Sequence, residues 1–155
     1  MSIPERLLVA SGPFAGGLSA ERVAAAIARG LEAGGLPEPD LCPIEVADEA
    51  AAGDVRALLD ALDFDMRMRR ARAVIVAAAS LHERTLAGSV TFEIATRARQ
   101  GGVPAYAVTG ENALSAFDAR ILDLQAIVEA GDTRALVAAG RRLAGLAWLE
   151  LPSGG

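Results

Sequence analysis

Apolar and polar positions follow two different periods along this chain. Leu7 to Ala10, Ala73 to Ala77 and Val103 to Val108 are apolar on successive residues, as strands covered on both faces must be. Between such runs the period changes to that of a helix. Ser19 caps a helix in which Val23, Ile27 and Leu31 recur every four residues, and Gly34, Gly35 and Pro37 stop it. Val55, Leu58, Leu59 and Leu62 share one face of a second helix over Asp54 to Leu62, which the charged segment Arg67 to Arg72 continues. Thr85 to Gln100 reads as a helix broken at Gly101 and Gly102, and Thr133 to Leu146 as a final helix facing inwards with Leu136, Val137, Leu143 and Leu146. Leu41 to Val46 predicts a further strand that Pro43 pushes to a sheet edge. Ile121 to Val128 contains a fifth strand and Ala113 to Phe117 a short helix. Alternating strands and helices predict the α/β class: a single three-layer α/β/α domain over residues 1–151 with a mostly parallel sheet, then a short flexible tail at 152–155.

Composition narrows the chemistry. At 155 residues, 52% hydrophobic and 23% charged, the chain can fill one core. The net charge of -5 argues against nucleic acid and anionic membranes as partners. All 15 basic residues are Arg, so a Schiff-base lysine, a phosphate-loop lysine and a lysine general base are all excluded. One Cys (Cys42) and one His (His82) rule out an internal disulfide and a zinc site built from those types alone. The pattern lacks an export signal and a bilayer-length apolar run, so a cytoplasmic location is expected.

Ligands of open parallel sheets bind where strands hand over to helices at their carboxyl ends. Three such junctions carry candidate residues. The first, Ser11 to Ser19, is Gly-rich and opens a helix, so Gly12, Gly16, Gly17 and Ser19 offer amides and a helix dipole to an anion. Gly12 and Gly17 have the spacing of a phosphate loop, but Leu18 stands where that motif needs Lys. The second junction, Ala77 to Gly88, brings Ser80, Thr85 and Gly88 as ligand-binding candidates, with His82, Glu83 and Arg84 as weak catalytic ones. The third is Thr109 and Gly110, followed by Glu111 and Asn112. The first two read more simply as a turn and a loop that cap helices, and the third is equally a routine turn with a helix cap. Asp60, Asp63 and Asp65 precede Arg67, Arg69, Arg70 and Arg72, and helical spacing pairs Asp63 with Arg67. Cys42 is expected to be a small buried apolar residue.

Two stretches resemble a known family. Phe14-Ala15-Gly16-Gly17-Leu18-Ser19-Ala20, then Val23 to Leu31, is similar to the opening of bacterial glycerate kinases of the glycerate 2-kinase type, PDSFKGSLSA followed by EVAxAIAxGL. Leu62-Asp63-Phe64-Asp65, Ala71 to Ile75, Leu81 and Thr85-Leu86-Ala87-Gly88 resemble that family's GFD and ADLVITGEGRLDxQTLxGK segments, and Ala95 to Pro104 the helix and turn that follow. The likeness spans Leu7 to Leu36 and Leu62 to Thr109. It implies the Rossmann-like half of the glycerate kinase fold and, for active members, ATP-dependent phosphorylation of glycerate with Mg-ATP as cofactor. Two departures stand against activity. Family members carry a large domain where this chain has only Pro37 to Ala61. The family's Asp, Ser and Lys fall on Gly12, Pro13 and Ala15, its Glu, Arg and Asp on Ala78, Ser80 and His82, and its later Lys on Ser89.

Phosphoryl transfer is mostly positioning and charge neutralisation, so these replacements predict a non-catalytic binding or assembly module. A homo-oligomer or a protein partner is expected over the face left by the missing domain. The alternatives are a residual phosphotransferase acting on a small hydroxy acid, for which alone Mg-ATP would be needed, and a sensor holding a small anion.

Overall fold

The computed structural model describes residues 6–46, 54–83 and 88–149. Its strands are β1 (Leu8–Ser11), β2 (Asp40–Pro43), β3 (Val74–Leu81), β4 (Ala105–Asn112) and β5 (Ile127–Glu129). Its helices are α1 (Ala20–Ala33), α2 (Val55–Ala61), α3 (Phe64–Arg69), α4 (Val90–Gly101), α5 (Ala116–Leu122) and α6 (Thr133–Leu149). All five strands are parallel, in the order β2-β1-β3-β4-β5. Helices cover both faces, giving a single Rossmann-like α/β/α domain. The edge position of β2 agrees with the proline at its end.

Side-chain alternation sorts the core into two layers. Leu7, Val9, Ile75, Ala77, Tyr106 and Val108 face α1 and α6. Leu8, Ala10, Val74, Val76 and Ala78 face α2, α3 and α4. Ser19 caps α1 by accepting a hydrogen bond from the Arg22 amide. The α1/α6 contact is tight because two glycines meet there. A Cβ on Gly30 would overlap the Val137 carbonyl oxygen, and one on Gly140 the Ile27 carbonyl oxygen. Only hydrogen fits at that crossing.

Several boundaries differ from the periodicity. β3 and β4 run on to Leu81 and Asn112 as a two-stranded ribbon, pairing Ser80 with Glu111 beyond the last pairs that β1 and β5 make with them. Ser80, Thr109 and Gly110 are therefore strand residues rather than loop residues. Gly110 is required in the ribbon, since a Cβ would lie 2.7 Å from the Ala79 carbonyl oxygen. Helix α4 starts five residues later than expected, at Val90, where the buried Ser89 accepts from the Phe92 amide and Gly88 has a φ of 74°. Asp63 adopts a left-handed φ of 52° and separates α2 from α3. Ile121 belongs to α5, and the fifth strand is confined to Ile127–Glu129.

Arg67 also differs. Its guanidinium donates to both carboxylate oxygens of Asp40, at 2.9 and 2.7 Å, and to the Leu41 carbonyl. The Asp63 carbonyl accepts from the Arg67 amide, and the Asp63 carboxylate attracts the guanidinium through space. Helical spacing could not reveal a partner on an edge strand. Cys42 is buried as expected, and that burial pushes its thiol pKa up.

Candidate functional site

Strand order changes direction between β1 and β3, because β1 continues to β2 on one side while β3 continues to β4 on the other. Such a switch point leaves a crevice at the strands' carboxyl ends. Here it opens into a cavity of about 230 Å³ against the first turns of α4. Its floor explains its existence. Alternation points Ala10, Gly12, Ala78 and Ser80 towards the α4 side, and these are among the smallest side chains available. Deeper in the same layer Leu8 and Val74 fill the space. Ile44 and Val46 wall one side, and Val90, Thr91 and Ile94 the other.

Among the described residues around this cavity there is no Asp, Glu, Arg or His. The polar groups are Ser11, Ser80 and Thr91, of which Ser11 is fully buried with its hydroxyl donating to the Ala20 carbonyl at 2.8 Å. Gly12 donates its amide to Ala77, and Ile44 donates to Ser11. These bonds tie β1, β2 and β3 into a rigid rim.

Not all the candidate residues converge here. Gly12, Pro13 and Ser80 line the cavity. Gly16 and Gly17 sit on an exposed turn closed by the Phe14 amide and the Leu18 carbonyl, with φ of 82° and 79°. Their glycine character follows from that left-handed backbone. A side chain at Gly16 would strain the turn whether or not a ligand bound. Ser19 caps α1, and the next amide, Ala20, donates at 2.7 Å to the Glu45 carboxylate. A carboxylate of the chain itself thus occupies the place an anion would take at that helix end. Periodicity gave no sign of it, because Glu45 follows an edge strand 25 residues away.

His82 lies half-buried just past β3 with Glu83 exposed beside it, while Arg84 and Thr85 fall outside the described residues. Gly88 is exposed before the α4 cap. The Thr109 hydroxyl donates to the Glu111 carbonyl inside the ribbon. Among the described residues no group of His, Cys, Asp and Glu could hold a metal ion, and no helix is long and apolar enough to cross a membrane.

Away from the cavity, Arg97 on α4 joins three carboxylates. It meets Asp60 of α2 at 3.0 Å, Asp65 of α3 at 3.1 Å and Glu93 one turn earlier at 3.2 Å. Burial pulls its pKa down, but the hydrogen bonds with Asp60, Glu93 and Asp65 outweigh that and hold it above the ordinary value. This cluster joins α2, α3 and α4.

The sequence pattern of the glycerate kinase family matches residues 49–141, more than half of the chain. The chain belongs to the glycerate kinase family. The matched range contains β3, α4, β4, α5 and β5, and so includes the whole second stretch of resemblance. No curated protein matches the chain. Among solved structures, a Burkholderia pseudomallei K96243 protein described only as pilus assembly-related is similar, with 18% identity and a TM-score of 0.48 over 94% of each chain.

Proposed function

We propose that this chain is a non-catalytic member of the glycerate kinase family that works as a binding or assembly module. One observation carries the reading. The positions on which the family's charged residues fall by resemblance include Gly12, Ala78 and Ser80, and all three line the switch-point cavity, whose described lining carries no charge. A transferring phosphoryl group needs cations and a positioned carboxylate around it, and the described residues of this rim offer neither. The short connection supports the same reading. Only residues 44–54 separate β2 from α2, so a second domain that would close a cleft over the sheet has no room there.

The test is a direct assay with folded protein, glycerate and Mg-ATP, alongside thermal unfolding with millimolar Mg-ATP, Mg-ADP or D-glycerate. A ligand at about a hundred times its Kd adds roughly 2.7 kcal/mol, which raises the midpoint of a domain this size by several degrees. The expected result is no phosphoglycerate and no shift with any of the three. Phosphoglycerate formation would overturn the reading and return His82, Glu83 and Arg84 to consideration as replacement polar groups. For the assembly role, a second copy or a protein partner would use exposed apolar side chains such as Phe117 and Ile121 of α5. Light scattering that gives a monomer at every concentration, with no co-purifying protein, would count against it.

A further inference from the structure

We propose that the switch-point cavity takes a small, neutral, mostly apolar ligand about the size of one aromatic ring. The inference rests on the reading above, that the cavity has lost its kinase chemistry, and it names what the remaining space suits. Size is the first argument. Sites for drug-sized ligands run from about 300 to 1,000 Å³, and an apolar cavity of about 150 Å³ holds benzene. At about 230 Å³ this cavity lies between the two, too small for a nucleotide triphosphate.

Chemistry is the second argument. The floor is Ala10, Gly12 and Ala78, and the walls are Ile44, Val90 and Ile94. A buried anion without a cationic partner bears most of its desolvation cost uncompensated, and no described lining residue is cationic. Nor does the neighbouring α1 terminus recruit an anion, since its Ala20 amide is already held by Glu45. Ser80 adds polarity at the strand end of the cavity, enough to orient one polar group on an otherwise apolar molecule.

The experiment is titration of isotope-labelled full-length protein with phenol, indole and benzamide, with benzoate, inorganic phosphate and Mg-ATP as anionic counterparts, followed by amide resonances. The neutral probes are expected to shift Ala78, Ser80 and Thr91, with benzamide binding at least about tenfold more tightly than the isosteric benzoate. Ala78→Val, which fills the floor, is expected to weaken the neutral probes about tenfold. If Ala78→Val fails to fold, Gly12→Ala serves instead. Its new methyl meets backbone oxygens no closer than 3.7 Å.

Benzoate binding as tightly as benzamide, or neutral probes that shift none of these resonances, would overturn the inference. Mg-ATP shifting the same resonances would overturn the non-catalytic reading as well. Silence from both nucleotide and neutral probes would sink this inference alone.

Discussion

On one side of the sheet α1 and α6 touch backbone to backbone at Gly30 and Gly140, while on the other side small strand residues leave a cavity of about 230 Å³ and ion pairs join α2, α3 and α4. Both layers are covered by helices and both are apolar at their centre. They differ in what joins neighbouring helices. In the α1/α6 layer it is close contact of main chains, which leaves no slack. In the α4 layer it is charged side chains at the rim, which hold helices in register while small residues below leave a hollow. The proposed ligand site lies in the second kind of layer.

The sharpest way to break that comparison is to add one methyl to each kind of helix position. Gly140→Ala forces its Cβ into the Ile27 carbonyl of the facing helix. It should cost about 3 kcal/mol, a loss of roughly 6–12 °C in Tm. Gly145, one and a half turns further along α6, has nothing within 4 Å of the same methyl. Gly145→Ala should therefore stabilise by about 0.5–1 kcal/mol through helix propensity. Equal effects by calorimetry would show that the α1/α6 crossing is looser than described.

The contrast between the layers was only half legible in the sequence. Helix α1 could be read because its cap, its four-residue apolar spacing and its stop at Gly34 are all local signals, and each agrees with the others. The glycines at the crossing gave nothing away, since neither needs a left-handed backbone and a helical glycine does not announce its neighbour. The ribbon was missed for a related reason. Ser80, Glu111 and Asn112 are polar because the strands leave the covered part of the sheet there, so the apolar run ends before the strand does. The junctions holding Gly12 and Ser80 were found by the rule that ligands sit at strand ends. Which junctions combine depends on strand order, and order is a long-range property that periodicity does not carry.

The charged rim of the α4 layer supplies the next largest effect. Arg97 is 12% exposed and holds three carboxylates. Arg97→Ala removes these bonds along with the apolar stem and should cost about 1–2 kcal/mol by urea unfolding, the value kept low because Asp60 and Asp65 are well solvated. Arg97→Lys should recover less than half of that, because an ammonium lacks the planar fork needed to serve three partners. Full recovery would mean that charge alone holds the helices.

Asp40 and Arg67 tie β2 to α3 and should contribute about 1 kcal/mol. Hydrogen bonding from Arg67, opposed by burial and aided by the nearby positive charges of Arg67 and Arg6, holds the Asp40 carboxyl below its ordinary range. A carboxylate depressed in the folded state stabilises fully above its unfolded value of about 3.9, and that contribution fades as pH falls through the folded value. Asp40→Asn should lower stability at pH 7 and flatten the acid limb of the stability profile. A variant whose acid limb is unchanged would show that this pair is solvated in practice.

The smallest effect tests the outer surface of the α4 side. Phe117 is 70% exposed on α5, with Ile121 one turn along at 39%. Phe117 gives up little buried area within the fold, so Phe117→Ser should change the stability of an isolated chain by less than about 0.5 kcal/mol. The informative readout is mass by light scattering. If a second copy covers α5, the substitution lowers the average mass at a given concentration, and Tm loses its dependence on protein concentration. If mass and Tm stay as they were, α5 is an ordinary solvated helix. The assembly role would then have to rest on another face, leaving the cavity as the feature that sets the two layers apart.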